Sequence, residues 1–77
     1  MYNGIGRIWD MKTVWDVRDL LKRFGSFVYI GDRLAELELM EMEIQELYRS
    51  RLIENREYQQ AMLILHKAKL EEKKIKR

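Results

Sequence analysis

Two glycines, Gly25 and Gly31, bracket a run containing Phe27, Val28, Tyr29 and Ile30, and a helix-forming segment stands on either side. Four large apolar residues in a row are too few for a helix and too apolar for a free linker. The run must be covered, or must itself cover something. This constrains the chain to helical segments joined by a short apolar strap, Gly25 to Arg33, lying against their common core. Gly25 is placed to end the first helix in a left-handed conformation. Asp32 is placed to start the second, its carboxylate accepting from amides of the first turn. Phe27, Val28 and Ile30 are expected to close one end of the core.

The helices follow from periodicity. Thr13 is the expected N-cap of the first, with Asp16 three residues on. Val14, Val17, Leu20, Leu21 and Phe24 then recur at helical spacing within an arc of about 120°. The first helix is read as 14–24. In the second, read as 33–50, Leu34, Leu37, Met40, Ile44, Leu47 and Tyr48 form a stripe about 140° wide. Glutamates fill much of the remainder, and Leu39 and Met42 fall off the stripe. Ser50 to Glu54 is a short turn in which Leu52 and Ile53 are expected to staple the corner. Asn55 is the expected cap of a third helix, 56–73, whose inner face carries Tyr58, Ala61, Met62, Ile64, Leu65 and Ala68. Leu63 and Leu70 point the other way. So short a connection makes the second and third helices antiparallel neighbours. The expected fold is all-α, a three-helix bundle with the apolar strap between helices 1 and 2. Residues 1–12 read as a loose N-terminal arm, 13–73 as the domain and 74–77 as a basic frayed tail. Met11 is also a candidate start, which makes residues 1–10 an upstream extension.

Composition narrows the function classes. The chain has 77 residues, 47% of them apolar and 36% charged, with no proline. That is enough for one small core. Without cysteine there is no disulfide, thiolate zinc site or cysteine nucleophile. No apolar run approaches the roughly 18 residues of a spanning helix, and the N-terminus does not read as a signal peptide. A cytoplasmic location away from membranes is expected. The net charge is +2, unevenly spread: residues 1–31 carry five basic and three acidic groups, 32–49 two and six, 50–77 eight and four. The middle helix is acidic and the tail basic.

The chemistry-bearing residues are few. His66 is the single histidine, and nothing marks a partner for it; it reads as an ordinary boundary residue. The pairs Glu38/Glu41 and Glu43/Glu46 have i,i+3 spacing, but no Glu-x-x-His sequence accompanies them, so a solvated acidic face is expected rather than a metal site. The glycines belong to no phosphate loop. No catalytic residue, cofactor or small-molecule substrate is expected.

Two surfaces remain. On helix 1, Trp15, Arg18 and Lys22 lie within about 60° of one another, away from the core stripe. An aromatic ring beside two cations is the minimal equipment for single-stranded nucleic acid, with a base stacked on the ring and phosphates held by the cations. Tyr29 and Arg33 extend this patch if the strap folds back along helix 1. Against it stand Asp16 and Asp19, which dilute the positive field, and the plain alternative that Trp15 packs on the arm. The second surface is the off-stripe set Leu39, Met42, Leu63 and Leu70. Contiguous in space, these make a partner or homo-oligomer surface.

A resemblance enters on particular residues. Trp15-Asp16-Val17-Arg18-Asp19-Leu20-Leu21-Lys22-Arg23-Phe24-Gly25, Tyr29-Ile30-Gly31-Asp32-Arg33-Leu34, Leu37-Glu38-Leu39-Met40, Glu46-Leu47-Tyr48 and Tyr58 to Leu65 resemble the YqgQ-like proteins, short cytosolic proteins of Gram-positive bacteria. The resemblance covers about residues 11–70 and leaves out 1–10. It implies a three-helix bundle and the single-stranded nucleic-acid binding suggested for that family. It implies no catalytic residues, and the contact residues named above come from helix geometry alone. The C-terminal half, through Leu47, Leu52, Ile53 and Tyr58, is similar to short helical hairpins that serve as interaction or oligomerisation modules. It lacks the glycine usual in their turn, where Ser50 or Arg51 stands.

Overall fold

The computed structural model describes residues 11–25 and 30–75. Within them the chain forms three helices, α1 (Val14–Arg23), α2 (Arg33–Arg49) and α3 (Asn55–Ile75), and the fold is an all-α three-helix bundle. Expectations for the arm (residues 1–10), for Phe27, Val28 and Tyr29 of the strap and for the last two residues lie outside the described residues.

α1 starts as its sequence requires. Thr13 is extended at the N-cap, its hydroxyl accepts from the Asp16 N–H, and the Asp16 carboxylate accepts from the Thr13 N–H at 3.1 Å. This reciprocal capping box satisfies amides that the first turn leaves without partners. The helix ends at Gly25, whose φ of 67° is the left-handed value expected there. Val17, Leu20 and Leu21 are buried, as the stripe required. Phe24 departs from it: as the C-cap residue, with φ −98° and ψ 6°, it is 39% exposed.

α2 starts differently from expectation. Asp32 occupies the N-cap but its side chain makes no capping bond. The clamp comes from Glu36, whose Oε2 accepts from the N–H groups of Ile30 (3.0 Å) and Gly31 (2.9 Å). Gly31, at φ 87°, adopts a backbone that L side chains rarely take. Glu36 is buried, so its carboxylate depends on these donors. Ile30, expected to close the core, is half exposed instead, its backbone rather than its side chain being held inward.

The turn after α2 is a Schellman motif. The Leu52 N–H reaches the Leu47 carbonyl at 2.9 Å and the Arg51 N–H reaches the Tyr48 carbonyl at 3.0 Å. Its left-handed residue is Arg51, φ 64°, where glycine is the usual choice. The turn sends Ile53 into the core and leaves Leu52 56% exposed, so Ile53 alone staples the corner. α3 starts one residue earlier than the asparagine cap implied. Glu54 takes the cap position: its carbonyl accepts from the Tyr58 N–H, and its own N–H donates to Glu57 Oε1 at 2.9 Å. Asn55 is thus the first helical residue, and its side-chain oxygen accepts from the Tyr48 hydroxyl at 3.3 Å.

One core joins the three helices. Leu21, Leu37, Ile44, Leu65 and Val17 are its largest fully enclosed side chains, and Ala61 is fully enclosed beside them. Met11, read from sequence as part of the loose arm, is buried in the same cluster. Tyr58, Met62, Ile64 and Ala68 pack against it half-buried. Tyr48 is 39% exposed yet stacks on Tyr58, with centroids 4.2 Å apart and planes 14° from parallel.

An arginine in the left-handed region costs about 1–2 kcal/mol relative to a right-handed one. Arg51→Gly relieves this, partly offset by the greater freedom of glycine in the unfolded chain. The expected outcome is a gain of about 1 kcal/mol, seen as a thermal midpoint raised by about 4–8 °C. A lowered midpoint would mean that the Arg51 side chain contributes more than its backbone costs.

Candidate nucleic-acid face on α1

The core-facing side of α1 is fixed by Val17, Leu20 and Leu21, so the opposite side is presented to solvent. Trp15 is 67% exposed there. The Arg18 guanidinium lies 4.6 Å from the centroid of its ring, a cation–π contact that holds the indole and the charge together. Lys22, one turn beyond Arg18, is exposed on the same side. The structure therefore joins Trp15 and Arg18 directly and keeps Lys22 on their face. Arg33 is exposed at the start of α2, on a separate helix. Tyr29 falls outside the described residues.

Asp16 dilutes the patch less than its charge suggests. Its Oδ2 accepts from the Lys12 N–H (2.9 Å), the Thr13 N–H (3.1 Å) and the Thr13 hydroxyl (3.3 Å). The Lys12 amide above all holds its carboxyl below the ordinary value of 3.8; partial burial opposes this, and the Thr13 amide and hydroxyl and the Lys12 charge add to the lowering. Its charge is thus directed at the start of the helix. Asp19, exposed, is the acid left beside the patch.

The second set divides. Met42, Leu63 and Leu70 are 63%, 72% and 52% exposed. Leu39 is half-buried, against expectation. It stands three residues from Glu36, on the same side of α2.

Two features were not anticipated. A groove of about 440 Å³ is lined by Tyr58, Gln59, Met62, Leu63 and His66. A second cavity of about 540 Å³ lies at the corner of the α2–α3 hairpin, among Tyr48, Arg49, Arg51, Ile53, Glu54 and Asn55. The available signal was the near-equal distance of Tyr48 and Tyr58 from the turn, which places their rings together once the helices are antiparallel. Arg49 also pairs with Glu46 at 3.4 Å, but both side chains are mostly exposed, so the pair adds little.

Comparison with known proteins fits this architecture. The family described as YqgQ-like matches residues 11–71. The chain belongs to the YqgQ-like family. A relative named "Uncharacterized protein YqgQ", from Bacillus subtilis (strain 168), is 46% identical over 57 residues, which is 74% of this chain and 80% of the relative. No solved structure matches significantly. The family's span begins at Met11, which is buried in the core. No described helix is long and apolar enough to cross a membrane.

The capping role of Asp16 has a pH signature. Because its folded pKa is lowered, its contribution to stability is complete above the unfolded value near 3.8. It is lost as pH falls through the folded value. Asp16→Asn is expected to lower the urea midpoint at pH 7, with the gap from the parent closing as the pH falls through that window. A gap independent of pH would contradict this role for the carboxylate.

Proposed function

We propose that the protein is a non-catalytic, cytoplasmic protein that binds single-stranded nucleic acid on the α1 face. The observation that carries this reading is the exposed indole of Trp15 under the Arg18 guanidinium, with Lys22 on the same side. Every base has a π face, so stacking on Trp15 is indifferent to sequence, while the cations hold the flanking phosphates. Unpaired bases can reach such a ring; bases stacked within a duplex cannot. The suggested nucleic-acid binding of the YqgQ-like family is in keeping with this surface. The basic residues at the end of α3 supply a weaker, non-specific attraction.

The test is anisotropy of a fluorescent single-stranded oligonucleotide at low salt. With Arg18 and Lys22 on phosphates, the logarithm of the affinity should fall with the logarithm of salt concentration at a slope of about −1.4. Trp15→Ala is expected to weaken binding by about tenfold or more, because stacking is worth roughly 1–3 kcal/mol per base. Lys74→Ala should cost much less. Absence of binding at low salt contradicts the proposal, and equal losses in the two variants reduce it to unspecific charge attraction.

A further inference from the structure

We propose that the open face of the α2–α3 hairpin binds a second copy of this chain, with α2 of each copy lying against α3 of the other. Glu36 and Glu41 locate this face. They are five residues apart on α2, hence about 140° apart around it. Glu36 holds the connection arriving from α1 through the Ile30 and Gly31 amides. Glu41 reaches Lys69 across the hairpin at 2.9 Å, with both side chains largely buried. One flank of the hairpin therefore receives α1, and the flank marked by Glu41, Lys69 and the Tyr48–Tyr58 stack does not. The groove beside Tyr58 and Met62 opens on this second flank and is lined by Leu63 as well. Leu70, seven residues on, continues the same side of α3, and Met42, about 100° around α2 from Glu41, is exposed on the outer side of that helix. Core residues half-buried on a side rimmed by exposed apolar residues are the mark of an association surface in so small a domain.

Charge selects the occupant and its orientation. α2 carries two basic and five acidic residues, whereas α3 carries five basic and three acidic ones, leaving His66 aside. Two hairpins can meet face to face about a two-fold axis in two ways. An axis across the helices stacks α2 on α2 and α3 on α3, setting like charge on like. An axis along the helices sets acidic α2 on basic α3 twice, as closed two-fold symmetry requires. The second arrangement preserves height along the bundle. Within one chain Glu41 is level with Lys69 and Tyr48 with Tyr58. Met42 then meets the other copy between Leu63 and Leu70, and Glu38 faces Lys73 of that copy. The result is a four-helix layer with an α1 on each outer side, so both Trp15 faces stay open.

Light scattering on the full chain, from micromolar to millimolar concentration, tests this without any nucleic acid. A mass rising to twice the 9.5 kDa of the single chain is expected. Glu38→Lys and Lys73→Glu should each raise the dissociation constant by about tenfold, and the two together should restore it. Met42→Ser with Leu63→Ser should leave single chains with unchanged far-ultraviolet circular dichroism, because both side chains are mostly exposed. Single chains at every concentration overturn the proposal, as does a dimer indifferent to the Met42 and Leu63 changes. A dimer tightened by Glu38→Lys overturns the orientation, because it would place α2 against α2.

Discussion

Antiparallel packing of α2 on α3, centred on the fully buried Ile44 and Leu65, is the interaction on which the rest of the molecule depends. A chain of 77 residues has only one core to spend its apolar residues on. The hairpin supplies most of it, and α1 adds Val17, Leu20 and Leu21 along one flank. The turn between α2 and α3 is held by two backbone bonds and by Ile53 beneath it. The partly buried Lys69–Glu41 pair bridges the two helices further from the turn. The position of α1, and so the direction in which Trp15 faces, follows from this frame and from the Glu36 clamp on the connection.

The parts of the fold legible in the sequence are those decided within a turn or two of helix. Thr13 and Asp16 are three residues apart, and their reciprocal cap needs nothing from the rest of the chain. The inner stripes of α2 and α3 were legible through Leu37, Ile44, Ala61 and Leu65 because helical periodicity is itself local. The departures occur where a neighbour or a terminus intervenes. Phe24 and Leu52 continue an apolar rhythm past the last helical residue, where the backbone changes direction and the rhythm no longer predicts a face. Glu54 is not a typical capping residue, and its role emerges only when Glu57 turns back to receive its amide. Glu36 displaced Asp32 as the clamp of the α1–α2 connection for a similar reason: a carboxylate one turn inside the helix found two backbone donors at once. Leu39 lies off the apolar stripe of α2 yet is half-buried, one turn from the Glu36 that clamps the connection from α1.

The candidate nucleic-acid site was legible in part. Helical spacing alone put Trp15, Arg18 and Lys22 on one side of α1. The ring–guanidinium contact and the diversion of the Asp16 charge into the helix cap needed coordinates. Together they change the weight of the acidic neighbours, since of the two only Asp19 remains beside the patch uncommitted to capping. The hairpin's open flank was foreshadowed by Met42, Leu63 and Leu70, but its groove and the Tyr48–Tyr58 stack were not. α1 and the open flank lie on different sides of the same frame, so the proposed ligand and the proposed second copy would not compete.

The central claim is that α1 presents the ligand-binding face and the hairpin does not. The most direct measurement is the nitrogen–proton spectrum of the chain, including the indole signals, followed as a single-stranded oligonucleotide is added at low salt. Shifts are expected to concentrate at the Trp15 indole and the amides from Trp15 to Lys22, with Leu63, His66 and Leu70 unmoved. Shifts centred on α3, or none at all, would contradict it.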